Sequence, residues 1–195
     1  MNLQNETLSL ATLVIDDKST FNAIGVDVVL TDCVVKSSVP ARALSIRATF
    51  VGGEFKANVQ LNGFYWCEAR IERVKFSGRY SNNRFGHLPE YGKKGAVESC
   101  DFSSATLLDC EFYDCNVDSL IYPVWPHLTI LHPKQVLTEL ESHTVSPTIR
   151  DFFEILEYLD DDCDAIVRNV DSLGLSDDFP YTELRSLVSA LPNLR

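Results

Sequence analysis

The chain has 195 residues, 45% of them hydrophobic and 23% charged, which suits one domain with an appendage and excludes two large domains. This is ordinary globular usage, so a wholly disordered, collagen-like or coiled-coil chain is excluded as well. The net charge of −11 is uneven: residues 1–131 hold 12 basic and 15 acidic side chains, a balance of −3, whereas residues 132–195 hold 5 and 13, a balance of −8.

Along the chain, Leu3, Leu8 and Leu13 stand five apart, and Ala11-Thr12-Leu13 places a small, a polar and a bulky residue in sequence. Residues 16–45 depart from this step. There Val26, Val28 and Leu30 alternate, as do Leu44 and Ile46, which suits ordinary strands as well as degenerate coils. The five-residue step returns in Ala48-Thr49-Phe50, Gly53-Glu54-Phe55, Ala57-Asn58-Val59, Asn62-Gly63-Phe64 and Cys67-Glu68-Ala69, with a slip before Ala57, and again, shifted by two, at Val74-Lys75-Phe76. Residues 82–98 hold Gly86, Pro89, Gly92 and Gly95 with Arg84, Lys93 and Lys94, the composition of a loop between repeat blocks. Such an excursion serves either as a binding loop or as an indifferent surface insertion.

Residues 100–119 divide without remainder into four units that begin at Cys100, Ala105, Cys110 and Cys115 and carry Phe102, Leu107, Phe112 and Val117 at their third positions. A period of five is neither the 3.6 of an amphipathic helix nor the 2.0 of a strand. The pattern resembles the pentapeptide-repeat family, whose units read A-[D/N]-L-x-x with Cys often replacing Ala and Phe replacing Leu. The resemblance implies a right-handed quadrilateral β-helix, four units to a coil, with the first and third residues of each unit pointing inward. The expected fold is therefore mainly β with α: a degenerate β-helix over 1–131, with an irregular all-β domain as its rival, followed by an acidic helical region over 132–195.

After Leu120, Tyr122 and Trp125 are expected to cap the apolar end of the solenoid, and His127–Leu131 reads as a closing strand. Pro133 to Glu141 reads as a weak helix. Ser146-Pro147 opens a second, with Ile149, Phe152, Phe153, Leu156 and Leu159 as its apolar stripe. Ile166, Val167, Val170 and Leu173 predict a third that stops at Gly174, and Leu184, Leu187, Val188 and Leu191 a last one after Pro180.

Catalytic chemistry does not declare itself. His87, His127, His132 and His143 include no pair at i, i+4, and no Cys-x-x-Cys joins any of the six cysteines, which read as reduced core thiols with a disulfide or metal role as the alternative. Asp160-Asp161-Asp162-Cys163-Asp164 starts like a calcium loop but has Ala165 where the turn needs Gly. Gly92-Lys93-Lys94-Gly95 is too short for a phosphate loop. No metal and no cofactor is expected. An enzyme built on His87 and Glu90 has no positive signal.

No apolar stretch approaches the roughly 20 residues of a membrane helix, and Met1–Glu6 lacks the basic and apolar regions of a secretory signal, so a cytoplasmic location is expected. The acidic final third repels nucleic acid and anionic membranes and speeds encounter with a basic partner. It equally suits a merely solvated face. The expected function is a non-enzymatic acidic inhibitor or immunity-type protein that neutralises an enzyme or toxin. Glu154, Glu157, Asp160, Asp161, Asp162 and Asp164 are the candidate partner contacts, and the C-terminal helices are a candidate homodimer face. Two alternatives stand beside it. One is a DNA-mimicking protein acting on DNA gyrase, which the family resemblance implies for some members. The other is a structural adaptor.

Overall fold

Chain direction is set at corners where residues take the left-handed conformation, among them Asn5, Leu10, Asp32, Arg73, Ser99, Asp109 and Asp114, with φ between 44° and 54°. At such a corner the backbone N–H donates to the adjacent coil: Leu10 to the Thr31 carbonyl at 3.0 Å, Asp32 to Val51 at 2.9 Å, Arg73 to Glu98 at 3.0 Å. The chain thus climbs onto itself instead of reversing into hairpins, and parallel strands stack. These are features of a computed structural model that describes residues 1–92 and 95–195. Lys93 and Lys94, placed in a loop by the sequence, lie outside the described residues.

The strands are β1 (Asn2–Leu3), β2 (Thr7–Ser9), β3 (Thr12–Ile15), β4 (Asn22–Ile24), β5 (Val29–Thr31), β6 (Val34–Ser37), β7 (Leu44–Ile46), β8 (Thr49–Val51), β9 (Glu54–Asn62), β10 (Arg70–Glu72), β11 (Lys75–Ser81), β12 (Arg84–Gly86), β13 (Ala96–Glu98), β14 (Asp101–Leu108), β15 (Cys110–Tyr113) and β16 (His127–Leu131). Helices α1 (Pro133–Glu141) and α2 (Pro147–Glu154), strand β17 (Cys163–Asn169) and helix α3 (Tyr181–Ala190) follow. Three sheets form the solenoid, in the orders β1-β4-β7, β2-β5-β8-β10-β13 and β3-β6-β9-β11-β14, with every pairing parallel. The molecule is mainly β, a solenoid of stacked parallel strands followed by a few short helices.

In-register stacking sorts the side chains. Leu8, Leu30, Phe50, Ile71 and Val97 align inward on one face, and Leu13, Val35, Phe55 and Phe76 on the next. Phe76 lies against Phe102 with ring centroids 4.6 Å apart, and Phe85 against Phe112 at 5.1 Å. Each fully buried large apolar side chain contributes about 1.5–3 kcal/mol, and the ring contacts add about 0.5–1.5 kcal/mol per pair. Within residues 100–119, Cys100, Phe102, Ala105, Leu107, Cys110, Phe112 and Val117 are all buried, as the five-residue step predicts, while Cys115 is half-buried.

Residues 16–45 belong to the same stack, since β4, β5, β6 and β7 all pair with neighbouring coils. The expected loop over 82–98 is a second difference: Arg84–Gly86 and Ala96–Glu98 are strands of the stack. Two of its glycines are there because backbone crowds them. A Cβ on Gly86 would sit 1.9 Å from the Tyr113 carbonyl oxygen, and one on Gly95 2.2 Å from that of Cys67. Composition alone made them look like loop punctuation.

All six cysteines are free. Their thiols donate inward to backbone oxygens, Cys33 to Thr31 at 3.4 Å, Cys100 to Glu98 at 3.3 Å and Cys110 to Tyr80 at 3.4 Å. Burial pushes the thiols of Cys67, Cys110, Cys115 and Cys163 up to about 12 and that of Cys100 to about 11, so they serve as small core residues.

One polar side chain is built into the centre. Asn83 is fully buried; its Oδ1 accepts from Trp66 Nε1 at 3.2 Å, and its Nδ2 donates to the carbonyls of Leu61 at 2.9 Å and Ser81 at 2.8 Å. Asn83→Leu leaves the Trp66 indole N–H without its acceptor and takes a donor from the Leu61 and Ser81 carbonyls, of which Ser81 still accepts from the Gly63 N–H. We expect it to lower unfolding free energy by about 2–4 kcal/mol, read from the midpoint of urea denaturation; a change below about 0.5 kcal/mol would show that this network is dispensable.

The solenoid ends in a different kind of sheet. The order β12-β15-β17-β16 runs from parallel to antiparallel, with β17 between β15 and β16. The helix expected over Ile166–Leu173 is therefore corrected: Cys163–Asn169 is a strand, followed by a short 3-10 turn at Val170–Ser172. Both faces of β17 are buried. Ala165 and Val167 point into the solenoid core, Ile166 and Val170 into a second core formed with Leu128, Ile130 and the three helices. The other helices match expectation, and Tyr122 and Trp125 pack at the end of the solenoid and on the second core.

His127 locks this junction. Its Nε2 accepts from the Leu107 backbone N–H at 3.2 Å and lies 3.2 Å from Asn169 Nδ2, which fixes Nδ1 as the donor to the Val124 carbonyl at 3.2 Å. Burial lowers its pKa below the ordinary 6.5, against smaller opposing effects of the Val124 hydrogen bond and Asp171. The unfolded chain then takes up the proton first, so this contribution to stability is complete above about pH 6.5 and is lost as pH falls below it. The denaturation midpoint should fall from pH 7.5 to pH 5.5, and His127→Gln should flatten that slope; an equally steep slope in the variant would remove His127 as its source.

Candidate functional site

The segment from α2 to the start of β17 carries the acidic residues singled out from sequence. Its geometry follows from capping and packing. Ser146 Oγ accepts from the Ile149 N–H at 3.4 Å, and Glu183 of α3 accepts from the Ser146 N–H at 2.6 Å, a bond that holds the Glu183 carboxyl below its ordinary pKa. Ile149, Phe153 and Leu156 then face the second core. A 3-10 turn over Ile155–Tyr158 carries the chain to the acidic run.

The six candidates do not form one cluster. Glu154 and Glu157 are exposed on the rim of a cleft of about 340 Å3 between α1 and α2, whose floor includes Leu137, Leu140, Val145 and Phe153. Asp161, Asp162 and Asp164 line a second cleft of about 410 Å3 together with Asp114, His87 and Pro89 of the solenoid. Lys134 stands between the two groups, donating to the Glu157 carbonyl at 3.1 Å and lying 3.7 Å from Asp161.

Two of the six are tied to the fold. Asp164 accepts from the Cys115 backbone N–H at 2.9 Å, which fastens β17 to the last solenoid corner. Asp160 lies 4.0 Å from Arg84 and 3.4 Å from the Tyr113 hydroxyl. Arg84 pairs more closely with Glu111, at 2.9 Å, and lies over the rings of Tyr65 and Tyr113 at 5.4 and 5.7 Å. Tyr113 donates to Glu111 at 2.5 Å; burial first, and this bond second, raise its pKa. Behind them Cys67, Leu88, Tyr113 and Cys163 make a small apolar cluster that seats the excursion after β12 on the start of β17. Asp161 and Asp162, by contrast, are exposed, with the Asp161 side chain 95% so.

Sequence reasoning missed Ile155 and Tyr158, which are 42% and 75% exposed between Glu154 and Asp160. The signal was present. The inward stripe of Ile149, Phe152, Phe153, Leu156 and Leu159 leaves positions 155 and 158 on the outer face. Tyr158 thus stands exposed with carboxylates on either side, and aromatic side chains dominate the energy of binding interfaces in general.

Among the described residues, no group of three or more His, Cys, Asp or Glu side chains is placed to hold a metal ion, and no helix is long and apolar enough to cross a membrane. No protein family, curated protein or solved structure matches the chain.

Proposed function

We propose that this protein is a non-enzymatic binding protein whose solenoid, of pentapeptide-repeat type, holds an acidic recognition surface for a basic partner protein, in the manner of an inhibitor or immunity protein. One observation carries the proposal. Between Glu154 and Asp162 the exposed side chains are Glu154, Ile155, Glu157, Tyr158, Asp160, Asp161 and Asp162, apolar and acidic together and interrupted only by the inward-facing Leu156 and Leu159, and the segment leads into a strand that both cores clamp. The four five-residue units of 100–119, with their first and third positions turned inward, support the repeat type. Acidic rims raise association rates with basic surfaces, and an exposed aromatic at their centre slows dissociation.

A protein that neutralises an enzyme acting on nucleic acid meets a basic cleft, and the balance of −8 over residues 132–195 suits that encounter. DNA mimicry by the rod itself is less well supported, because the solenoid region balances at only −3.

The test compares the wild-type chain with the quadruple variant E154K/E157K/D161K/D162K as bait in lysate of the native cell, at low and high salt. All four side chains are exposed, so the variant should fold. We expect one stoichiometric partner with a basic surface, released at high salt and bound at least about tenfold more weakly by the variant. A partner held equally by both baits and at both salts would contradict the assignment of this surface.

A further inference from the structure

We propose that the groove between α1 and α2 receives an apolar side chain of the basic partner, with lysine or arginine on either side of it. This inference rests on the reading of the acidic segment as a partner surface, and it assigns the point of that surface where the partner is anchored.

The floor of the groove is apolar for a local reason. On α1, Val136 and Leu140 turn into the second core, and Leu137, one position on from Val136, is carried round to the groove and left half-buried. Val145, in the connection to α2, is likewise only partly covered, and Phe153 lies beneath them. The open space of about 340 Å3 is at the small end of ligand pockets, which run from about 300 to about 1,000 Å3.

The rim is negative against local preference. Glu141 is the last residue of α1 and Glu154 the last of α2, and neither helix has a basic residue in its last turn. A helix C-terminus is the negative end of the backbone dipole, where a carboxylate is the disfavoured charge. Asp151 stands three residues before Glu154, on the same face of α2, and adds like-charge repulsion. Among the described residues, none of Glu141, Asp151, Glu154 and Glu157 forms an ion pair, and neither does Arg150, the one basic side chain that lines the groove. The carboxylates also bracket the floor. Lys134, near the start of α1, donates to the Glu157 carbonyl at 3.1 Å, which puts Glu157 at one end of that helix; Glu141 stands at the other end, about 10 Å further along.

An apolar floor with unpaired carboxylates at both ends suits one chemistry: an apolar group that enters the groove, and cations on either side that stay at the rim. A second copy of this chain, at a net charge of −11, brings the wrong sign. A basic but purely polar segment would meet the rim and leave the floor uncovered. The rim carboxylates then speed encounter, and the buried apolar side chain slows dissociation.

The test is NMR titration of the isotope-labelled full chain with three capped hexapeptides, Lys-Lys-Leu-Leu-Lys-Lys, Lys-Lys-Ser-Ser-Lys-Lys and Glu-Glu-Leu-Leu-Glu-Glu. The first should shift the methyl resonances of Leu137, Leu140 and Val145 saturably and bind at least about tenfold more tightly than the second, and the third should not bind. In the near-isosteric variant E141Q/D151N/E154Q/E157Q, whose four side chains are all exposed, affinity for the first peptide should fall about tenfold or more. Equal affinity for the leucine and serine peptides would overturn the proposal. So would shifts confined to residues outside the groove, an unweakened neutral variant, or groove shifts on raising the protein concentration alone, which would give the face to a second copy. The partner reading is judged separately, with L137K, which fills the groove, as a further bait. A partner released by E154K/E157K/D161K/D162K but held fully by L137K would leave that reading standing and remove the groove from it. Peptide binding in the groove with no partner in the lysate would remove that reading and leave the groove as a site for apolar cations.

Discussion

The structure depends on one constraint: every corner of the coil must deliver the next strand in register with the strand one coil earlier. Thr7, Val29, Thr49, Arg70 and Ala96 stand on one line through five levels. Steps of 22, 20 and 21 residues separate the first four, and a step of 26 leads to the last, where the excursion after β12 is inserted. Because register survives that insertion, the inward ladder of Leu8, Leu30, Phe50, Ile71 and Val97 continues across it. Side chains of one kind then meet their own kind, which is why rings stack on rings and thiols recur at the tight corners.

The same constraint explains the C-terminal third. A parallel stack has no natural end, since its last strand exposes hydrogen-bonding groups and apolar side chains alike. Here β15 is covered by β17 running antiparallel, and β17 by β16. The helices pack on the outer face of that sheet around a separate core. His127, Asp164 and the Arg168–Asp109 pair at 2.8 Å fasten this cap to the solenoid through groups of opposite polarity. The exposed acidic segment leads directly into β17, so its position is set by the cap and not by a free loop.

Legibility from sequence followed how many faces of an element are buried. The units of 100–119 were plain because their small and bulky positions, Cys100, Phe102, Ala105, Leu107, Cys110, Phe112 and Val117, are all buried at one five-residue step. Helices α2 and α3 were plain because each buries one stripe, and α1 was fainter, burying only Val136 and Leu140 beside its opening Pro133. Strand β17 was misread because Ala165, Ile166 and Val167 are buried on both faces, which erases the period of two and leaves Ile166, Val167, Val170 and Leu173 at helical spacing. Residues 16–45 were obscure because corners such as Asp32 and short strands of three or four residues give too few positions to establish a period. Of the site, the charges were visible and their division into two clefts was not, since Lys134 and the solenoid residues His87 and Asp114 join them only in the fold.

Native-state hydrogen exchange tests most directly whether the stack and its cap are one structure. If β17 completes the solenoid, the amides of Ala165, Ile166 and Val167 should exchange with the same opening free energy as those of Phe102, Leu107 and Phe112, as a single cooperative unit. Exchange of the β17 amides at a markedly lower free energy than the β14 and β15 amides would contradict that account and make the acidic segment part of a separately opening appendage.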